Sequence, residues 1–501
     1  MSNEIVLMEN RQLVPRWHTS RKTIALQFPA ALNNTEKKIK KVNDPWLAEA
    51  RLTWKTERSI ISATELNASL YLNEMTDDED YHATEKYLLD NISKLSAGLA
   101  DALEKKIKFA DNSDFYSIDI FKVRSIIGRL KKVLKSYPRD WMTWSDIGFY
   151  YALLGEDERA QHCLTISSNA CPSHPFILRS HARFLVHIGE PERAVTLFKK
   201  SGLMKESPLI ASGALAISQA FELSDVKVSD CKRVLKYYSG DPVFSSDLAA
   251  SLGTVEFKNG NIKKAKEFFR SSLAFPSENA TAQYGWLHHK YGFTIDNSNP
   301  DNYRSIESQV NELYVNSDFL ACRSKLMDLH RFQPFTEAPL TDAGYISLLG
   351  LDDPQFVVNL SSNRISRETM SFGELNNLIV AKLMLNDFSG IEDDILVLKE
   401  KCQRDTASDQ RGIFMATAGM FMFKINNYDE GRFLYESAIE HFGNRNSMKA
   451  VALAKYFYAQ NLEGSDQKAY EKLMSSAANI AKRHSMHELT RKDSLLKYIS
   501  Q

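Results

Sequence analysis

The amino-acid sequence predicts an all-helical chain: an α-solenoid of stacked helical hairpins, preceded by a non-repetitive helical region. Three observations carry this. A block of small and bulky residues recurs 34 residues further along. Its apolar side chains return at i, i+3 and i+7 and not in strand alternation. Glycine, charged turns and proline punctuate the blocks where helices should stop. The chain has 501 residues, 43% of them hydrophobic, enough to bury a large core. A solenoid divides that core between neighbouring repeats, so length here does not count domains.

The chain reads as five regions. Residues 1–43, with the run QLVPRWHTSRKTIALQFP, show no clear period and are expected to form an irregular N-terminal arm. Glu4 and Glu9 stand where an export signal would need a basic start and an uninterrupted apolar run, so no export is expected. Residues 44–137 form an N-terminal helical region in which Asp44-Pro45-Trp46 starts a helix and MTDDED is an exposed linker. Long helices are expected over Ala83 to Phe109 and Ile118 to Tyr137.

Residues 138–294 hold the clearest repeats. Tyr151 falls on Leu185, Gly155 on Gly189, Ala160 on Ala194, Leu164 on Phe198 and Ser167 on Ser201, each pair 34 apart. Helices approach closely only where side chains are small, which Gly148, Ala160 and Ser167 supply. Trp144, Ile147 and Tyr151 form one apolar stripe, Gly155 ends the first helix, and Pro172 closes the unit. Trp144, Ile147, Gly148, Tyr151, Ala160, Leu164 and Pro172 together resemble the tetratricopeptide signature. The second unit has His181 and Ala182 in place of the aliphatic-glycine pair. Leu252, Gly253, Gly260, Ala265 and Phe269 repeat the template further on, which leaves room for one irregular unit over Pro208 to Gly240. Residues 295–409 keep helical periodicity without the signature and are expected to be divergent helical repeats. Residues 410–501 are expected to return to repeats and a terminal helix. Met415, Ala418, Gly419, Met422, Tyr435 and Ala438 fit the template there, Tyr428 sits in the turn, and Gly431 replaces the usual alanine.

Composition and motifs bound the function. Lys+Arg and Asp+Glu are both 63, so no global charge favours nucleic acid or anionic membrane. Five scattered cysteines without a CxxC pair argue against a disulfide framework or zinc ribbon and fit a reducing compartment. No apolar run reaches the roughly 20 residues that span a bilayer. The expectation is a soluble, cytoplasmic protein with no membrane partner. Walker, GxGxxG, HExxH and GxSxG motifs are absent, so the chain is expected to be no enzyme and to need no cofactor. His162, His174, His181 and His187 lie near Cys163 and Cys171, but their helical positions point them apart, and no metal site is assigned. Lys122, Arg124, Arg129, Lys131, Lys132 and Lys135, with Arg139, form the densest basic run. Ile126, Ile127, Leu130 and Leu134 make the opposite apolar face, so a solvated helix side is the plain reading. A patch for nucleic acid or an acidic partner would require these charges to join Lys105, Lys106 and Lys108 in space.

The resemblance implies a concave groove lined by first helices that takes a peptide of a partner. Mapping it selects Met142, Ser145, Phe149 and Ala152, then Phe176, Arg179, Arg183 and Val186. Ser145 and Phe149 stand where some family members carry a lysine and asparagine that grip a C-terminal carboxylate, so that clamp is not implied. Arg179 and Arg183 are the candidates to meet an acidic segment, unless they pair with acids of their own array. The expected function is a protein-protein interaction scaffold or adaptor binding an acidic or apolar peptide segment. The alternatives are a regulatory or sensor subunit of a multi-protein system, such as a bacterial antiviral defence module, and nucleic-acid binding through the basic helices.

Overall fold

The computed structural model describes residues 11, 13–20, 45–72, 75, 77–95, 100, 120–238, 241–295, 305–362, 370–403 and 409–499. Among these residues the regular structure is entirely helical, as the periodicity predicts. Lys105, Lys106 and Lys108, most of the arm, and the later part of the helix expected to reach Phe109 lie outside the described residues.

Helices α1 (Pro45–Thr56), α2 (Ile60–Leu72) and α3 (Glu79–Asp90) pack around a cluster of their own, with Trp54, Leu66, Leu70 and Leu88 at its centre. The helix expected to start at Ala83 starts earlier and ends at Asp90, where Asn91 closes it. The acidic stretch read as an exposed linker is partly structural. Asp78 caps α3 through its side chain and, at 2.6 Å, pairs with Arg51, which also holds Asp80.

The array runs from α4 (Ile120–Ser136) through the hairpins α5 (Trp141–Leu153)/α6 (Asp157–Ala170), α7 (Pro175–His187)/α8 (Pro191–Lys200), α9 (Pro208–Ala220)/α10 (Val228–Tyr237) and α11 (Pro242–Lys258)/α12 (Ile262–Ser272). The stretch left irregular in the sequence, Pro208 to Gly240, is therefore another hairpin. Next come α13 (Glu278–Tyr291), α14 (Ile306–Val315) and α15 (Phe319–Phe332), then α16 (Ala338–Leu349)/α17 (Pro354–Ser362) and α18 (Phe372–Leu385)/α19 (Ile391–Gln403). The last pairs are α20 (Gln410–Lys424)/α21 (Tyr428–Asn444) and α22 (Met448–Leu462)/α23 (Gln467–Arg483), followed by α24 (His487–Thr490) and α25 (Asp493–Ile499). The first helices α5, α7, α9, α11 and α13 touch one another in sequence and form one continuous layer.

One contact explains the periodic glycines. A Cβ on Gly148 would lie 2.8 Å from Leu164 Cγ and 3.3 Å from the Ala160 carbonyl oxygen. A Cβ on Gly253 would meet the Phe269 ring at 2.7 Å and the Ala265 carbonyl at 3.4 Å. On Gly419 it would meet Tyr435 at 3.0 Å and the Gly431 carbonyl at 3.2 Å. Glycine thus faces one large and one small residue of the second helix at the same offsets each time. Ala160, Ala194, Ala265 and Ala438 are fully buried, as are Phe198, Phe269 and nearly all of Tyr435. The hairpin turn recurs as well. Gly155, Gly189 and Gly260 take left-handed backbone (φ 70°, 78° and 78°), and Asn426 takes it at the matching place in the α20/α21 turn (φ 62°). Trp144 is half-buried, and its indole N–H donates to the Pro138 carbonyl at 3.0 Å. Tyr151 lies in the buried cluster against which Trp144 packs.

The C-terminal end is tied back to the middle of the array. Glu488 is buried and accepts from Tyr314 at 2.8 Å and Tyr345 at 2.5 Å, while Lys492 pairs with Asp352. Lys382 and Asp394 form a fully buried ion pair at 2.9 Å.

Candidate protein-binding groove

The described part of the arm lies against the layer of first helices. Residues 13–19 are extended, and burial alternates along them: Leu13, Pro15, Trp17 and Thr19 are buried, while Val14, Arg16 and His18 are half-buried. This is the two-residue period of an extended strand pressed onto a surface. The segment crosses all five first helices. Arg11 donates to Glu307 at the start of α14 (2.5 Å) and to Gln283 (2.6 Å) and Asn279 (2.7 Å) on α13. Leu13 joins a cluster with Ala250 of α11 and Tyr284 of α13. Pro15 sits against Gly213 of α9, where a Cβ would come within 3.1 Å of its ring. Trp17 reaches α7 and α5, and Ser20 ends the segment on Asp146 of α5, through its N–H at 2.7 Å and its hydroxyl at 2.6 Å.

Trp17 sits in an aromatic box. It meets Phe149 of α5 edge-on at 5.3 Å and Phe184 of α7 at 5.9 Å, and it stacks on Phe335 at 4.7 Å. Phe335 belongs to the α15–α16 loop, so a later part of the array closes over the first repeats and the segment lies between them. Arg183 clasps that closure by donating to the Phe335 carbonyl at 3.1 Å. Burial pushes the Arg183 guanidinium down to about 10, against the pull of Glu337.

Acidic groups line the path. Burial alone would raise the Glu307 carboxyl, but Arg11 and Arg16 reverse this and hold it at about 2. Arg16 contacts Glu307 at 2.5 Å and Glu278 at 3.9 Å. Asp146 is buried beneath Ser20. Asp146 lies far from Glu278 and Glu307 in the sequence, and the tertiary fold brings all three to the same segment.

The mapped groove residues fall on this surface in part. Phe149 forms a wall of the aromatic box, Ser145 is buried, and Met142, Phe176 and Val186 are half-buried. Arg179, considered for an acidic partner, is committed inside the array. It donates to Asp247 at 2.9 Å, the Leu209 carbonyl at 2.7 Å and Ser212 at 3.0 Å. Arg183 is committed in the same way to the Phe335 carbonyl. Within the array Arg179 thus meets an acid of its own repeats and Arg183 a backbone carbonyl, and acids that the sequence reading did not single out lie along the segment's path.

The basic run on α4 keeps Val123, Ile126, Ile127, Leu130 and Leu134 buried and its described cations outward. Arg124 pairs with Glu156 at 2.9 Å, and Lys131 lies over the Tyr151 ring at 5.3 Å. Lys132 and Lys135 are exposed, as is Arg129. The position of Lys122 falls within α4, and its side chain lies outside the description. His181 faces Gln161 at 3.0 Å and Ser168 at 3.1 Å, and burial, then the charge of Arg193, pushes its ring down to about 4. His162 points outward, and among the described residues no three His, Cys, Asp or Glu side chains come together as a metal site would require. No described helix is long and apolar enough to cross a membrane.

No protein-family model and no curated protein matches the chain. Among solved structures it is similar to a human IFIT1 dimer with PPP-AAAA, at 12% identity and a TM-score of 0.31, covering 99% of each chain. A second IFIT1 structure, with m7Gppp-AAAA, is similar at 12% identity and a TM-score of 0.29, covering 97% of this chain and 96% of that one. A structure of Naa15/Naa10 bound to HypK-THB is similar at 11% identity and a TM-score of 0.23, covering 96% and 90%.

Proposed function

We propose that this chain is a non-enzymatic scaffold or adaptor that holds an extended segment of a partner protein in its concave groove. One observation carries the reading. Residues 13–19 already lie there in extended form with alternate side chains buried, and together with Arg11 and Ser20 they reach across five first helices. A surface that accepts one extended peptide through side-chain pockets is built for peptide recognition. Co-purification from the native cell with quantitative mass spectrometry tests it, and recovery of no stoichiometric partner overturns it.

A second reading, a regulatory or sensor subunit of a multi-protein system such as an antiviral defence module, is favoured by one feature. Helices α1–α3 have their own core and could engage an effector while the repeats bind a trigger. An effector gene beside this one supports that reading, and unrelated neighbours count against it. Nucleic-acid binding draws less support. Glu307 and Glu278 neutralise Arg11 and Arg16, which leaves those cations engaged and not offered to a polyanion, and two of the α4 cations are likewise engaged. No binding at low ionic strength would end that reading.

A further inference from the structure

The groove's own occupant carries information about what else the groove takes. Its pairing is specific. Arg11 and Arg16, five residues apart, converge on the single carboxylate of Glu307, and Arg11 also uses two neutral acceptors on α13. A guanidinium suits this arrangement because its planar fork can serve a carboxylate and amide oxygens at once, which an ammonium does not. Directly after the second arginine, Trp17 fills a box of three phenylalanines. Proline at position 15 fits where Gly213 leaves room for a ring and where an extended backbone is needed. The two ends differ in chemistry: a cation-binding end at α13–α14 and a hydroxyl-binding end at Asp146.

Among the described residues one polar atom of the segment is unmatched. The Trp17 indole N–H is buried and meets no acceptor among the described residues. An unmet buried donor weakens the segment's hold on its box. An incoming segment with the same two guanidiniums and a phenylalanine in place of Trp17 would carry no such donor. A tethered occupant competes at an effective concentration on the order of millimolar, so a ligand displaces it only by binding the groove correspondingly more tightly.

We propose that the groove is a receptor for an arginine-bearing extended segment of a partner protein, and that the chain's own segment of Arg11 and residues 13–20 is its resident competitor. This rests on the scaffold reading and names its ligand chemistry: two arginines five residues apart, with an aromatic residue directly after the second. It differs from the acidic partner expected from Arg179 and Arg183, because Glu307 and Asp146 face the occupant while those two cations meet groups of the array.

The test uses the full chain and a fluorescein-labelled peptide with the sequence of residues 11–20. A chain carrying Arg11→Ala, Arg16→Ala and Trp17→Ala together should bind the peptide at least about tenfold more tightly than the unaltered chain, because its own segment no longer competes. Adding Glu307→Gln should remove most of that gain, and a peptide with both arginines changed to glutamate should not bind. If the triple variant keeps its helical circular dichroism yet binds no better than the unaltered chain, or binds the glutamate peptide equally, the proposal falls. If the triple variant does not fold, hydrogen exchange on the unaltered chain decides. Saturating peptide with Trp17 replaced by phenylalanine should speed exchange at residues 13–19, and unchanged exchange overturns the proposal. A chain that binds the peptide but brings down no cellular partner loses the scaffold reading while keeping this groove chemistry. A chain that holds a stoichiometric partner in this groove while the arginine peptide stays unbound loses only this proposal.

Discussion

Gly148→Ala and Gly128→Ala are the same chemical change in opposite surroundings. Each replaces a helix-interior glycine, and alanine should gain about 0.8–1 kcal/mol of helix propensity at both sites. At Gly128, on the exposed side of α4, a Cβ would meet nothing within 4 Å. At Gly148 it would meet Leu164 Cγ at 2.8 Å and the Ala160 carbonyl oxygen at 3.3 Å, so α5 and α6 must separate or Leu164 must leave its rotamer. Overpacking of this kind costs about 1–3 kcal/mol. Gly128→Ala should therefore stabilise by about 0.5–1 kcal/mol, and Gly148→Ala should destabilise by up to about 2 kcal/mol. The difference between the two cancels the propensity and isolates packing, at about 1–3 kcal/mol, with Gly148→Leu at the top of that range or beyond. A solenoid of this length need not unfold in one step, so the readout is hydrogen exchange over α5 and α6 alongside denaturant unfolding. Equal shifts for the two alanine variants would refute the assigned hairpin register.

Three further outcomes follow from the same geometry. Trp17→Ala empties the box of Phe149, Phe184 and Phe335 and should cost about 3–5 kcal/mol of segment docking, read as faster exchange at residues 13–19; retained protection there would contradict the packing described. His181 is held neutral in the fold, with its ring down at about 4, so the unfolded chain binds the extra proton as pH falls through the ordinary histidine range. His181 alone should contribute about 2 kcal/mol to the fall in stability between pH 7 and pH 5, and a urea series in which His181→Gln leaves the fall unchanged would assign it elsewhere. Lys382→Ala removes the ammonium paired with the fully buried Asp394 and should cost about 3–5 kcal/mol; an unshifted thermal midpoint would show that this pair does not hold α18 to α19.

The hairpins were legible because their determinants are local. Gly148 and Leu164 are sixteen residues apart, as are Gly253 and Phe269, and Gly419 and Tyr435, so any register that pairs one set pairs the others. The left-handed turn could be read at Gly155, Gly189 and Gly260, but not at Asn426, where the same conformation is held by a residue that the glycine pattern does not flag. The Pro208–Gly240 unit escaped the template because its close approach differs. Gly213 lies against Phe198 of the preceding hairpin and Pro15 of the arm, so the small residue answers to a neighbour and not to its own second helix. The arm left a weak trace, Leu13, Pro15 and Trp17 at alternate positions, which without its receiving surface is too short to distinguish from a loop.

What the chain's order of residues determined alone was therefore the helices, their pairing and their period, because each rests on contacts within a few turns. What only the tertiary structure decided was the groove's contents and the sign of its charge. Arg11 meets Glu307 across 296 residues of chain, and Arg183 meets Phe335 across 152. Such contacts depend on how small rotations between repeats add up along the array, and no local pattern of side chains records that sum.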